Sequence, residues 1–325
     1  MNPAFSVIFL TTLIGVGQGL LLALFTQQSY ALFDLLPHQD ARFYGWGALL
    51  ALLFTFAGLI ASFFHLGHPE RAWRSAAQWR TSWLSREVIV LPAFMGILFI
   101  YGAFHLAGFD PVVVMLSSGL GINATAILGG IATMLAFVLF ISTGMVYACM
   151  RFLQEWHSPL TVINFILLGG ASGFTLAAFY AALAAPAQAG FFAGWALIIT
   201  LLGLLGRVAS LWRNARIRPK STLQTAIGIK HPRIVQTAQG AMGGSFNTRE
   251  FFHGKSKSFL GRVKVSFLLL AFVLPALLLT FNLFYSSTVL LGVAFFAQFV
   301  GLQAERWYFF AEANHPQNLY YQSVS

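Results

Sequence analysis

Eight long apolar runs dominate this chain of 325 residues. They are Phe5–Thr26, Phe43–Leu66, Val88–Leu106, Ala124–Cys149, Leu160–Leu183, Phe191–Trp212, Val265–Phe284 and Thr288–Phe310. A helix rises about 1.5 Å per residue, so about 20 apolar residues cross a hydrocarbon core, and each run is close to or beyond that length. Barrel strands would alternate apolar and polar residues over about ten positions, which these runs do not. With 58% hydrophobic and 9% charged residues, the chain lacks the polar surface of a soluble protein this long. The expected fold is all-α and polytopic, with eight transmembrane helices in one integral membrane domain spanning 1–325. The first run lacks a basic leader and is too long for a cleaved signal peptide, so it reads as a retained span.

The charges orient these spans. Loop two (67–87) carries Arg71, Arg74, Arg80 and Arg86; loop four carries Arg151. Loop six (213–264) is large and basic, with Arg213, Arg216, Arg218, Lys220, Lys230, Arg233, Arg249, Lys255, Lys257, Arg262 and Lys264. With Arg207 and Arg306 near the same side, every one of the 19 Lys and Arg except Arg42 falls on the face shared by even loops and termini. Cytoplasmic loops carry such an excess, so both termini are expected in the cytoplasm. The net charge of +10 reports these loops, which meet anionic lipid and an acidic partner. No nucleic-acid motif accompanies it.

Cys149 is the sole cysteine, which excludes an internal disulfide and a cysteine-ligated iron–sulfur cluster. A haem between spans needs two histidines at similar depth. Only His65 and His105 lie near spans, at opposite ends of a bilayer core about 30 Å thick, so no bis-histidine haem is expected. Pro92 falls near the start of span three, and Pro275 is expected to kink span seven. Gly129–Gly130, and Gly169–Gly170 with the following Ala171, Ser172 and Gly173, mark close helix packing. No internal repeat is evident, which weighs against a transporter built from duplicated halves.

The chemistry concentrates in ASFFHLGHPERAWRSAAQWRTSWLSREV, residues 61–88. His65 is expected in the last turn of span two, with Gly67 just past its end and Pro69 stopping it. Ser85 is expected to cap span three, which places Glu87 in the first turn. Taken singly, these two residues complement the helix dipole at their respective ends. Together they put a titratable pair at one membrane boundary, with Trp73, Trp79, Trp83 and four arginines between them. A quinone needs an apolar slot, hydrogen bonds to its carbonyls and two protons with its two electrons. Histidine suits proton exchange near neutrality, and a buried glutamate can relay protons. The tryptophans equally suit the ordinary interfacial belt. In span eight, Glu305 either pairs with an arginine of loop two or lines the same cavity, and Gln18, within GVGQG of span one, is a further candidate for cavity lining. Phe246, Phe251, Phe252 and Phe259 suggest that loop six is ordered and covered by a partner, while basic loops also serve simply to fix topology.

The FFHLGHPERAW segment, the LSREV that follows it, the GQG of span one and the closing AERWYFFAEA together resemble the membrane-anchor subunit of dimethyl-sulfoxide-reductase-type molybdoenzymes. The resemblance covers essentially the whole chain. It implies a complex of three subunits, in which this anchor, an iron–sulfur electron-transfer subunit and a molybdopterin catalytic subunit together link a substrate to the quinone pool. The histidine of the HLG motif and the glutamate opening span three are associated with quinol binding in that family, and they map onto His65 and Glu87. Arg71, Arg74 and Arg80, with Trp73 and Trp83, would complete the quinone site. No haem, iron–sulfur cluster, molybdenum or other metal is expected in this chain. One departure stands out: the charge count puts the HLG loop in the cytoplasm, whereas the dimethyl-sulfoxide reductase anchor presents it to the periplasm. That orientation is more similar to anchors of the cytoplasmic sulfite-oxidising type. The resemblance therefore implies an inner-membrane anchor with partner subunits docking on loops 67–87 and 213–264, taking electrons from sulfite oxidation to an exchangeable quinone. Alternatives are a reductase anchor oxidising menaquinol, a secondary transporter, and a structural anchor without a quinone site.

Overall fold

A computed structural model describes residues 1–117, 119–238 and 246–322, the side chain of Phe246 excepted. Eight helices long and apolar enough to cross a membrane form the body: α1 Phe5–Leu32, α2 Ala41–Phe63, α3 Trp83–Ala107, α4 Ala124–Ala148, α5 Pro159–Ala184, α6 Pro186–Asn214, α7 Lys257–Phe284 and α8 Thr288–Glu312. The first turn of α6 is a 3-10 turn, Pro186–Gln188. Serine side chains cap four of the helices: Ser82, Ser158, Ser256 and Ser287 accept from backbone N–H groups that have no partner inside α3, α5, α7 and α8. The fold is not wholly helical. A short hairpin, β1 Val112–Met115 against β2 Gly121–Asn123, closes the loop after α3.

Two helices form the centre. The most apolar stretches of α1 and α5 are each 72% buried, against 28% to 44% in the other six. Around α1, the helices α2, α3 and α4 form an arc in which α2 and α4 touch it. Around α5, the helices α6, α7 and α8 repeat that arrangement, with α6 and α8 in contact. This recurrence of packing is not visible as a sequence repeat, apart from the glycines where the two centres cross. A Cβ on Gly15 would stand 3.4 Å from the Gly169 Cα, and one on Gly19 would overlap the Gly169 carbonyl and stand 3.0 Å from the Gly173 Cα. Small residues let two backbones touch where lipid offers no hydrophobic drive to associate.

The two largest departures from the expected helix ends have physical causes. α1 runs on to Leu32, because Gln27 and Gln28, which end the apolar run, find partners in other helices. Gln27 accepts from the Tyr44 hydroxyl, while Gln28 accepts from Tyr101 at 2.8 Å and donates to Thr125 at 2.9 Å. α7 begins at Lys257, earlier than its apolar run, with the Ser256 cap and basic residues in its opening turns. The expected irregularity at Pro275 takes the form of a π-helical segment, Leu269–Val273, just before it. Proline cannot donate to the carbonyl four residues back, Ala271. The buried Gln298 side chain on α8 donates to that carbonyl at 3.2 Å and to Thr200 at 3.0 Å.

The start of the chain, loop six and the segment after α8 meet on one face, which carries the basic loops. Asn2 N–H donates to the Glu250 carbonyl at 2.9 Å, and Asn318 donates to the Phe251 carbonyl at 3.2 Å.

Candidate functional site

Loop two has regular structure. Residues Pro69–Gln78 form a 3-10 helix with no buried residue, joined to α3 by the Ser85 hydroxyl, which donates to the Ser75 carbonyl. Ser85 is therefore a buried tie, and the cap of α3 is Ser82, three residues earlier than expected. Glu87 accordingly lies in the second turn, beyond the N–H groups that a first-turn carboxylate would serve. Its dipole role is lost.

His65 is also displaced from its expected place. α2 ends at Phe63 with Phe64 as its C-cap, so His65 sits in the turn beyond, and Gly67 does not adopt the left-handed cap conformation. The imidazole is exposed, yet the surrounding protein desolvates it enough to lower its pKa from 6.5. Three loop arginines lie over tryptophans: Arg74 over Trp73 at 5.5 Å, Arg80 over Trp79 at 5.3 Å and Arg86 over Trp83 at 4.1 Å. Arg86 also donates to the carbonyls of Trp79 and Arg80. Arg71 pairs with Glu70 at 3.7 Å. The loop is thus a platform of aromatic faces and guanidinium groups, with His65 at its entry.

Glu87 points the other way, into the bundle. The Thr143 hydroxyl of α4 donates to its Oε1 at 2.6 Å. The carboxylate lines a small, partly open cavity with Thr11, Thr12, Gln18, Ser172 and Arg306 among the polar walls, and Phe140 and Phe165 among the apolar ones. The cavity volume is about 20 Å³, room for a water molecule or two and far short of a quinone ring. Gln18 does line this cavity, its amide fixed by donation to the Ala136 carbonyl at 2.8 Å. His65, Arg71, Trp73, Arg74 and Arg80 do not. Trp83 stands one turn before Glu87 on the same side of α3, but is not among the walls of the cavity.

Span eight holds what the charge count concealed. Glu305 pairs with Arg207 of α6 at 2.7 Å, not with an arginine of loop two. Its other oxygen faces Arg306 at 3.6 Å, and Arg207 reaches Glu312 at 3.8 Å. Arg207, Glu305 and Arg306 are 2%, 1% and 4% exposed, so the two arginines are interior groups as well as markers of topology. Arg306 stacks on Phe165 at 3.7 Å. The signal for these residues was present: each is an ionisable side chain inside an apolar run, where such groups are expensive and tend to be functional. Thr143 left no comparable signal.

Elsewhere, the aromatics of loop six are engaged within the chain. Phe251 stacks on His315 at 3.8 Å, Phe252 meets Tyr321 and Phe259 meets Trp307. Phe246, the fourth, has its side chain outside the described residues. His105 is buried between Tyr44 and Tyr101, at ring separations of 4.8 and 4.6 Å, on the face opposite the basic loops.

Residues 1–321 match the family described as DMSO reductase anchor subunit (DmsC). The chain is also 57% identical, over 325 residues and the full length of both proteins, to a sulfite dehydrogenase subunit of Allochromatium vinosum.

Proposed function

The chain belongs to the DMSO reductase anchor subunit family, and we propose that it is the quinone-reactive member of a three-subunit oxidoreductase in a bacterial inner membrane. Its partners are an iron–sulfur subunit docked on loops 67–87 and 213–264 and, beyond it, a molybdopterin subunit. Electrons run from cytoplasmic sulfite oxidation to the quinone pool. The full-length likeness to a protein named as part of a sulfite dehydrogenase supports the substrate, and the single basic face supports the side on which the partners sit.

The observation that carries the quinone assignment is Glu87. It is a carboxyl in a membrane span, held by one hydroxyl, in no ion pair among the described residues, and facing a water-sized cavity. An ionisable group so placed is a candidate proton carrier. The cavity excludes the quinone ring itself, so the ring belongs at the platform. There Trp83 and Trp73 offer apolar faces, and His65, Arg71, Arg74 and Arg80 offer donors. When bound, a quinone supplies a two-electron, two-proton acceptor. His65, neutral above 6.5 and exposed, donates a hydrogen bond and exchanges a proton at the ring edge. Glu87 exchanges the second through the protein interior. The guanidinium groups of Arg74 and Arg80, lying over Trp73 and Trp79, favour negative charge at the ring.

The test is His65→Ala and Glu87→Gln in the native membrane complex. Sulfite-driven reduction of a quinone analogue should be abolished in both. Reduction of a soluble dye that takes electrons from the iron–sulfur subunit should persist, which shows assembly intact. Quinone-linked turnover at the wild-type rate in both variants refutes the assignment.

A further inference from the structure

Three cavities stand in a row between Glu87 and the basic face, and consecutive ones share walls. The Glu87 cavity and the second cavity are both bounded by Arg306. The second is lined by Arg207, Glu305, Asn164, Ser210, Glu155 and Asn214 among others. Glu155 and Asn214 also line the third, an open vestibule of 580 Å³ between loop four, the start of loop six and the segment after α8. Glu312 bridges the last two stages, paired with Arg207 at 3.8 Å and accepting from Asn214 at 3.1 Å.

The second cavity has a volume of about 10 Å³, at the lower limit for one water molecule. Polar atoms that need such a molecule surround it. Arg207 Nη2 and Glu305 Oε2 are buried without a hydrogen-bond partner, as is Asn164 Oδ1. Buried polar atoms in that state are ordinarily satisfied by ordered water. Arg306 stands at the boundary, its ion pair with Glu305 long at 3.6 Å and its plane resting on Phe165. A guanidinium there borders both cavities and keeps its charge, so it can orient water without consuming protons.

We propose that this row of cavities is the proton path of the quinone site, running from the vestibule through Asn214, Glu312, the Arg207–Glu305 pair and Arg306 to Glu87. The proposal rests on the quinone assignment above and adds a direction to it. Reducing one quinone to quinol takes two electrons from the partner's clusters and two protons. Those routed through Glu87 come from water on the basic face, the side from which the electrons arrive. No charge then crosses the membrane with them.

The experiment uses the native complex in membranes, with Glu312→Gln and Asn214→Leu. The first removes a carboxylate of the path, and the second blocks the mouth with an apolar side chain while leaving all four ionised groups. Each should slow quinone-linked turnover at least tenfold, raise its solvent deuterium isotope effect, and leave dye-linked sulfite oxidation unchanged. A small permeant weak acid, formate in millimolar amounts, should restore Glu312→Gln toward the wild-type rate, which a merely structural defect would not allow. Turnover and isotope effect at wild-type values in both variants overturn the path. If Glu87→Gln and His65→Ala are both silent in the same preparation, the quinone assignment has failed; if both are inactive while the two path variants run normally, only the path has failed.

Discussion

Replacing Glu305 with glutamine tests how the buried charges are held together. The cluster contains two guanidinium groups, Arg207 and Arg306, and two carboxylates, Glu305 and Glu312, so it is neutral when all four are ionised. Glu305 touches both cations. At 2.7 Å and an effective dielectric near 20, the Arg207–Glu305 attraction alone is about 6 kcal/mol. Much of that is offset by the cost of taking both ions out of water, so the net value of the pair is small. Removing one partner is another matter, since it leaves a net positive charge in a site 2% exposed or less at Arg207 and Glu305. The expected loss is about 3–5 kcal/mol. Arg207→Gln should cost a similar amount for the opposite reason. The double variant restores neutrality, with Arg306 and Glu312 remaining, and should lose at least about 2 kcal/mol less than the sum of the singles. Unfolding in mixed micelles, followed by tryptophan fluorescence against dodecyl sulfate, measures all three. Strictly additive losses, or singles below about 1 kcal/mol, would refute the account of a desolvated, mutually neutralised cluster.

Two further outcomes are expected. Gly19→Ala should destabilise the fold by about 1–3 kcal/mol or more, because its methyl would overlap the backbone of α5 at Gly169; unchanged stability in the same micelle titration would show that the crossing is looser than described. His65 should titrate below 6.5 in histidine-labelled protein followed by NMR. Because the folded ring favours the neutral form, its contribution is complete above pH 6.5 and is lost as pH falls through the lower folded value. A midpoint at or above 6.5 would show that the loop does not desolvate it.

What could be read from the chain alone was whatever depends on run length and charge sign. The eight spans and the single basic face are of that kind, since a hydrocarbon slab imposes both on local sequence. Helix ends were less legible. Gln27 and Gln28 look like a stop signal until Tyr44, Tyr101 and Thr125 supply their partners from other helices. Ser82 and Ser85 are equally good caps in sequence, and the contact of Ser85 with Ser75 decides between them. In the site, Glu87 and Gln18 stood out as polar groups near apolar runs, and both line the cavity. Thr143 did not, because a threonine inside a span commonly bonds its own helix. Arg207 was visible but served two purposes, and counting charges by loop registers one of them.

The crossing of Gly19 and Gly173 has a bearing on how the protein is made. α1 leaves the ribosome first, yet the surface that completes it arrives with α5, about 150 residues later, on the order of 10–30 s at ordinary rates of synthesis. During that interval a helix whose glycine stripe suits another backbone lies against lipid or an insertion factor. Successful biogenesis then depends on a late event, the docking of the fifth span on the first. Slowing translation between the codons for α4 and α5 should enrich a four-span intermediate that quality-control proteases recognise, even though every residue of the finished protein is unaltered.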